Sequence, residues 1–208
     1  MVRRHGTGLY VSDGLRHVPV EVGLPNVVAV HLLDLNVYVV SVYRPPSYSS
    51  QENNELLDFM RNFSIGRELV VLGDFNLPTL SWPVSGVYVR PVDREFNECF
   101  VECGFHQWVE EGTYTSSGNT LDLVLTSEED RVLDVQVLDP LPGCDHCPVL
   151  CDVIFQFGEE WSSCRSRESR LWSRGRYNEI AASLQEMEWV LAFEGLSVVE
   201  TNSYNVSG

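Results

Sequence analysis

Apolar residues in this chain fall into short runs whose spacing switches between a period of two and a helical period. β-Branched and aromatic residues dominate Val27-Val28-Ala29-Val30-His31-Leu32 and Val37-Tyr38-Val39-Val40-Ser41-Val42-Tyr43. These runs flank Asp34-Leu35-Asn36 and so predict a hairpin. The chain reads as extended from residue 8 to about residue 44, and Gly8-Leu9-Tyr10-Val11 precedes a turn at Ser12-Asp13-Gly14. Arg44-Pro45-Pro46 ends the second strand, because proline has no N–H to give to a ladder. The period then lengthens over Glu52 to Asn62, where Leu56, Leu57, Phe59, Met60 and the following Phe63 share one helical face. Glu68-Leu69-Val70-Val71-Leu72 predicts a strand ending at Gly73-Asp74-Phe75-Asn76. A second helix is predicted over Asp93 to Cys103, with Phe96, Cys99, Phe100 and Cys103 on one side and Gly104 as its stop. Strands are predicted over Leu121 to Leu125, Val132 to Leu138 and Cys147 to Phe157.

Strand and helix runs thus alternate, and most strands are apolar enough to be covered on both faces. The expected fold class is α/β: a layered sandwich of two mixed β-sheets flanked by helices. Residues 1–157 form the predicted domain. Composition shifts after Phe157, where residues 158–176 carry Arg165, Arg167, Arg170, Arg174 and Arg176 among serines and read as a linker. Tyr177, Ile180, Ala181, Leu184, Met187 and Leu191 then stripe an amphipathic helix over Tyr177 to Phe193, within a final segment, 177–208, that ends in a polar tail.

Composition narrows the function. The 208 residues are 44% hydrophobic and 11% aromatic, enough for a packed core and unlike a disordered tail. The formal charge is −16, from 30 acids against 14 bases, and every base is arginine. That balance excludes a polybasic membrane binder, and by itself it argues against holding nucleic acid by bulk positive charge. The longest apolar stretch is broken by His31, Asp34 and Asn36, so no membrane span is predicted. Cys99, Cys103, Cys144, Cys147, Cys151 and Cys164 are too dispersed for a disulfide scaffold, and no basic-then-apolar leader opens the sequence. The expected compartment is the nucleus or cytoplasm, not the secretory route. Cys144-Asp145-His146-Cys147 contains a C-x-x-C without a second ligand pair at zinc spacing, so free thiols are expected there.

Candidate chemistry concentrates in three phrases. Gly73-Asp74-Phe75-Asn76 closes a strand, and strand alternation would send Asp74 and Asn76 to one side. Ligands in open α/β architectures lie at such carboxyl ends, although the same letters also make an ordinary turn. Asp122 sits inside Asn119-Thr120-Leu121-Asp122-Leu123-Val124-Leu125, a run otherwise fit for burial. A buried carboxylate left unpaired is costly, so Asp122 either has a partner or faces water on an edge strand. His146, in Gly143-Cys144-Asp145-His146-Cys147-Pro148-Val149, is a candidate partner. An Asp–His pair orients the imidazole and raises its pKa, which suits it to a phosphoryl oxygen; a histidine held for structure alone reads the same. Asp145 is then free for a divalent cation, which prefers oxygen ligands.

Taken in order, these phrases resemble the endonuclease/exonuclease/phosphatase superfamily over about residues 6 to 157. The resemblance is closer to the apurinic-endonuclease-like endonuclease domain of non-LTR (LINE-type) retrotransposons. Val42-Tyr43-Arg44-Pro45-Pro46, the phrase Thr120 to Thr126 and the opening Arg3-Arg4-His5-Gly6-Thr7-Gly8-Leu9-Tyr10-Val11 are typical of that branch. The arginine-rich linker and the helix ending Glu188-Trp189 resemble a connector toward a reverse transcriptase. The resemblance implies a DNase-like fold, DNA as partner, a reverse transcriptase domain in a longer parent, Mg²⁺ or Mn²⁺ as cofactor, and DNA phosphodiester hydrolysis for target nicking. By position it implies that Tyr43 contacts the scissile phosphate, Asp74 positions or activates the attacking water, and Asn76 holds a phosphate oxygen. It likewise implies that Asp122 pairs with His146, that His146 stabilises the pentavalent transition state, and that Asp145 lies beside the metal. Thr113, in Gly112-Thr113-Tyr114, matches a phosphate-contacting threonine.

The sequence departs from the family pattern at two places. Cys144 stands where the family has serine, similar in size but weaker in hydrogen bonding. The family also carries an Asn on a first strand and a metal-binding Glu on the next, both upstream of the Arg-Arg-His-Gly-Thr-Gly segment. No residue of this sequence takes either role, and Glu21, which follows that segment, does not match. The expectation is an N-terminally truncated domain, lacking the first strands, with weakened activity. The alternatives are an inactive binding or regulatory module, and a phosphoesterase acting on phospholipid or inositol phosphate. Asp74, Asp122 and Asp145 belong to the candidate site itself, and much of the remaining acid lies between residues 93 and 139. Weak, salt-sensitive DNA binding is therefore expected.

Overall fold

In the computed structural model, which describes residues 6–154, the first regular element is β1 (His17–Val20). It pairs antiparallel with β2 (Val27–Leu32), which pairs antiparallel with β3 (Val37–Tyr43) from Val27↔Val42 to Leu32↔Val37. Asn36 turns the corner in the left-handed region, φ 52°, where asparagine is among the few tolerated residues. Pro45 and Pro46 then stop the strand, and Ser49 starts α1 (Ser50–Ser64) through a capping box with Glu52. The Ser49 Oγ accepts the Glu52 N–H while Glu52 Oε2 accepts the Ser49 N–H at 2.7 Å.

β4 (Glu68–Asp74) returns parallel to β3, and a long loop leads to α2 (Pro91–Glu102). Pro91 suits the first helical turn, where its missing N–H is not needed. The buried Asp93 ties the loop to the helix, accepting from Thr79 Oγ1 at 2.6 Å and pairing with Arg90 at 2.7 Å. After the two-residue β5 (His106–Gln107), β6 (Asp122–Thr126) pairs antiparallel with β4. These six strands form one mixed sheet in the order β1-β2-β3-β4-β6-β5.

The helices cover one face of that sheet. Leu56, Leu57 and Met60 of α1, with Phe96 and Phe100 of α2, bury Ala29, Val40, Val42, Leu69, Val71, Leu123 and Leu125. Each such side chain contributes about 1.5–3 kcal/mol on burial, which makes this interface the main source of stability. The opposite face carries Val30, Leu32 and Val39, against which Leu9, Val11 and Leu35 pack.

The second sheet has two strands among the described residues: β7 (Val132–Val137) and β8 (Val149–Val153), paired antiparallel. A 3-10 turn at Glu129–Arg131 precedes β7, and Arg131 anchors it to Glu68 of β4 at 2.6 Å. One expectation needs correction. Gly8 to Val11 form no strand among the described residues; Leu9 and Val11 pack by their side chains against the sheet. The described part of the second sheet is antiparallel, and its strands β7 and β8 are half-buried. The linker over 158–176, the helix Tyr177 to Phe193 and Cys164 lie outside the described residues.

Candidate active site

Three strands deliver three site residues in one row. The register places Tyr43 of β3 beside Asp74 of β4, and Asp74 beside Asp122 of β6. Side chains in register share a face, so all three point away from the helices. The row before it is Val42, Gly73 and Leu123, and it explains the glycine: a Cβ on Gly73 would lie 1.8 Å from the Val42 carbonyl oxygen. Gly73 also has φ +143°, which other residues rarely adopt.

Beyond Asp74 the chain turns sharply. The Phe75 N–H donates to the Leu121 carbonyl at 2.9 Å, and its ring is fully buried edge-on to Phe96 and Phe100. Asn76 adopts φ 50°, and its N–H donates to Asp74 Oδ1 at 2.9 Å. Asp74 and Asn76 line one cleft, as the sequence predicts. They do so through this turn and not by strand alternation, because β4 ends at Asp74.

His146 reaches the row from the loop before β8. Its Nδ1 lies 2.7 Å from Asp122 Oδ2. Backbone bonds stitch that loop to residues 113–115: the Thr115 N–H donates to the Asp145 carbonyl at 2.8 Å, and the Cys147 N–H to the Thr113 carbonyl at 2.7 Å. The Tyr114 ring sits 5.1 Å from the imidazole. Tyr43, Asp74, Asn76, Asp122, Asp145 and His146 thus line a cleft of about 960 Å³, with Tyr114, Ser117 and Asn119 along its wall.

Thr113 is the exception among the predicted residues. It is 0% exposed, and its Oγ1 accepts the N–H groups of Leu121 and Asp122, each at 3.0 Å. The expectation of a direct phosphate contact is corrected: the hydroxyl faces the backbone, where it fixes the start of β6 and with it Asp122. Sequence reasoning also passed over Arg44, which is 3% exposed behind the turn and donates to the Phe75 and Asn76 carbonyls at 3.2 and 3.0 Å. The signal available was its place beside Tyr43, at the end of a strand bound for burial.

The electrostatics follow from this packing. Burial, and then the neighbouring Asp122 charge, pushes Asp74 up to about 6, against the pull of His146, the Asn76 N–H and Arg44. For His146, burial opposes the charged form. The Asp122 hydrogen bond and the charges of Asp122, Asp74 and Asp145 outweigh it and hold the imidazolium above its usual range. Burial and Asp74 raise the Tyr43 phenol, which keeps it a neutral donor near pH 7. The site therefore pairs a carboxyl pushed up to about 6 with a stabilised imidazolium.

For a divalent cation, Asp145 is an exposed oxygen donor on the cleft. Among the described residues no group of three His, Cys, Asp or Glu side chains converges to hold a metal. The described residues fit Mg²⁺ in the kind of donor but do not complete a site for it. Cys144 is exposed and Cys147 half-buried, both as free thiols.

The fold and the row of carboxylates beside a histidine define a DNase-like α/β domain, and comparison with solved structures agrees. The endonuclease domain of TRAS1, a telomere-specific non-LTR retrotransposon, superposes with TM-score 0.57 at 19% identity, covering 68% of each chain. The 3′ phosphatase NExo from Neisseria, bound to a product DNA hairpin, superposes with TM-score 0.52 at 20% identity, covering 67% of this chain and 73% of that one. The family described as endonuclease-reverse transcriptase matches residues 37–150, a span that holds Tyr43, the turn and His146, and the chain belongs to that family. Among curated proteins, none matches the sequence. The family's description names an endonuclease joined to a reverse transcriptase, and nucleases of the endonuclease/exonuclease/phosphatase superfamily generally use divalent metals.

Proposed function

We propose that this domain hydrolyses DNA phosphodiester bonds, nicking a target strand for a reverse transcriptase carried by a longer parent protein. The observation that carries the reading is the row Tyr43, Asp74 and Asp122 with His146 seated on Asp122, all on one cleft. A diester bound there meets groups of two kinds. Asp74, ionised above about pH 6, takes a proton from the attacking water as the water oxygen bonds to phosphorus; the P–O bond to the leaving sugar oxygen breaks, and that oxygen is protonated from solvent. Asn76 and the neutral Tyr43 hydroxyl donate to phosphate oxygens. His146 commits Nδ1 to Asp122, which leaves Nε2 to donate to an oxygen on which charge builds around the pentavalent phosphorus. The two titrations define a window: activity rises as Asp74 ionises and falls as His146 loses its proton. Mg²⁺ or Mn²⁺ is the cation of this reading, with Asp145 as the donor on the cleft; when bound it would offset negative charge on the phosphate oxygens.

The test is conversion of supercoiled plasmid to nicked circles by the full chain and by His146→Ala, with a phosphoinositide and a sphingolipid substrate assayed beside it. The expected loss is roughly 10²–10³-fold, the usual worth of a group that stabilises transition-state charge. Equal nicking by the two proteins removes His146 from the mechanism. Turnover of the lipid substrates without nicking replaces DNA as the substrate.

A further inference from the structure

Arg44 is buried, charged and unaccounted for by the chemistry above. It is 3% exposed, and no carboxylate lies within hydrogen-bond reach of its guanidinium in the contacts of the described residues. Nε donates to Asn53 Oδ1 at 2.7 Å, Nη1 reaches the carbonyls of both Phe75 and Asn76, and Cζ sits 5.2 Å from the Phe96 ring centroid. The Arg44 backbone N–H donates to the Asp74 carbonyl at 2.8 Å. Arg44 therefore touches all three residues of the Asp74-Phe75-Asn76 turn, from the side opposite the cleft. Asn53 is itself buried on α1, so the grip is anchored to the rigid helix layer.

Geometry gives this contact a purpose. Asn76 holds a left-handed φ, and two successive carbonyls turn toward one donor. A buried cation satisfied by carbonyl dipoles and a ring face is a demanding arrangement, and a lysine's single ammonium could not reproduce the fork. We infer that Arg44 is a positioning residue, which holds the Asp74–Asn76 turn in its working shape from behind. This inference rests on the phosphodiesterase reading only for its kinetic consequence. Its structural content, the shape of the turn, is independent of any substrate.

The experiment compares the full chain with Arg44→Lys, Arg44→Met and Asn53→Ala. In the nicking assay Arg44→Lys is expected to lose at least tenfold in kcat with KM within about twofold, since small misplacements of reacting groups cost about that much or more. Asn53→Ala, which loosens one anchor, loses less in the same direction. The groups facing Asp74 are Tyr43, Asp122, His146 and Arg44, so loss of charge in Arg44→Met also moves the acid limb of kcat upward, whereas Arg44→Lys leaves it in place. Amide hydrogen exchange reads the turn without activity. Faster exchange at Asn76 with unchanged protection at Val70 and Val71 supports the inference. Unchanged Asn76 exchange, or wild-type kcat in Arg44→Lys, overturns it. If both Arg44 variants fail to fold, Asn53→Ala decides by the same two criteria. A wild-type chain that nicks nothing sinks the phosphodiesterase reading while the exchange data still decide the role of Arg44.

Discussion

Asp74→Asn should abolish activity and stabilise the protein, and the two effects have one cause. Burial and the Asp122 charge raise the Asp74 carboxyl from 3.8 to about 6, so at neutral pH the folded chain holds a charge in a place that disfavours it. Between these two values the folded state binds more protons than the unfolded one, so stability falls as pH rises through them. The benefit of a neutral side chain is therefore absent below about pH 4 and complete above about pH 6. A shift of about two units corresponds to a ceiling of about 3 kcal/mol, and partial solvent screening brings it to roughly 1–2 kcal/mol. Asparagine is nearly isosteric and keeps the Oδ1 that accepts the Asn76 N–H, so little is lost elsewhere. Urea unfolding of both proteins at pH 4 and pH 7.5 measures the effect. Asp74→Asn should match the wild type at the lower pH and exceed it by that amount at the higher, with Tm higher by about 3–6 °C. Equal stability at both pH values would show that Asp74 is not held in an unfavourable charge state. A loss at pH 7.5 would show that its charge is needed for the fold.

Two further perturbations probe Asp122 and the hydroxyl that fixes its backbone. Asp122→Asn removes the charge that raises both Asp74 and His146, so both limbs of the kcat pH profile should move to lower pH and kcat should fall roughly 10²–10⁴-fold. An unmoved alkaline limb would separate His146 from Asp122. Thr113→Val removes the acceptor of the buried Leu121 N–H, at a cost of about 1–3 kcal/mol, and that of the half-buried Asp122 N–H at a smaller one, whereas Thr113→Ser retains the oxygen. Denaturant midpoints for the two variants, with nicking rates alongside, check this. A Thr113→Val protein as stable and active as the wild type would return Thr113 to an unassigned position.

Much of the helix-covered sheet was legible from local pattern. The hairpin strands begin and end where the β-branched runs do, because a period of two, a polar turn and a proline stop are properties of the letters alone. α1 likewise follows from its apolar stripe, which by itself starts it two residues late; the Ser49–Glu52 capping box that sets its first turn is seen only in the structure. β1 falls inside the stretch that reads as extended, but neither it nor β5 is delimited by the sequence, because short edge strands of mixed character carry almost no periodic signal. The extended look of Gly8 to Val11 misled for the converse reason: apolar residues can pack without pairing.

For the site, the sequence alone determined which residue types were available: an Asp and an Asn at a strand end, an Asp inside an apolar strand, and an Asp-His before another. Their assembly was decided by register. The pairing of β3, β4 and β6 sets Tyr43, Asp74 and Asp122 side by side, and shifting one strand by a single residue would turn its member into the helix layer. Side-chain contacts across 24 to 32 positions bring His146 onto Asp122 and Arg44 beneath Asn76, distances along the chain at which no local pattern carries information. Tertiary structure alone also decided what Thr113 does, because whether a hydroxyl faces a cleft or a backbone depends on which neighbours bury it.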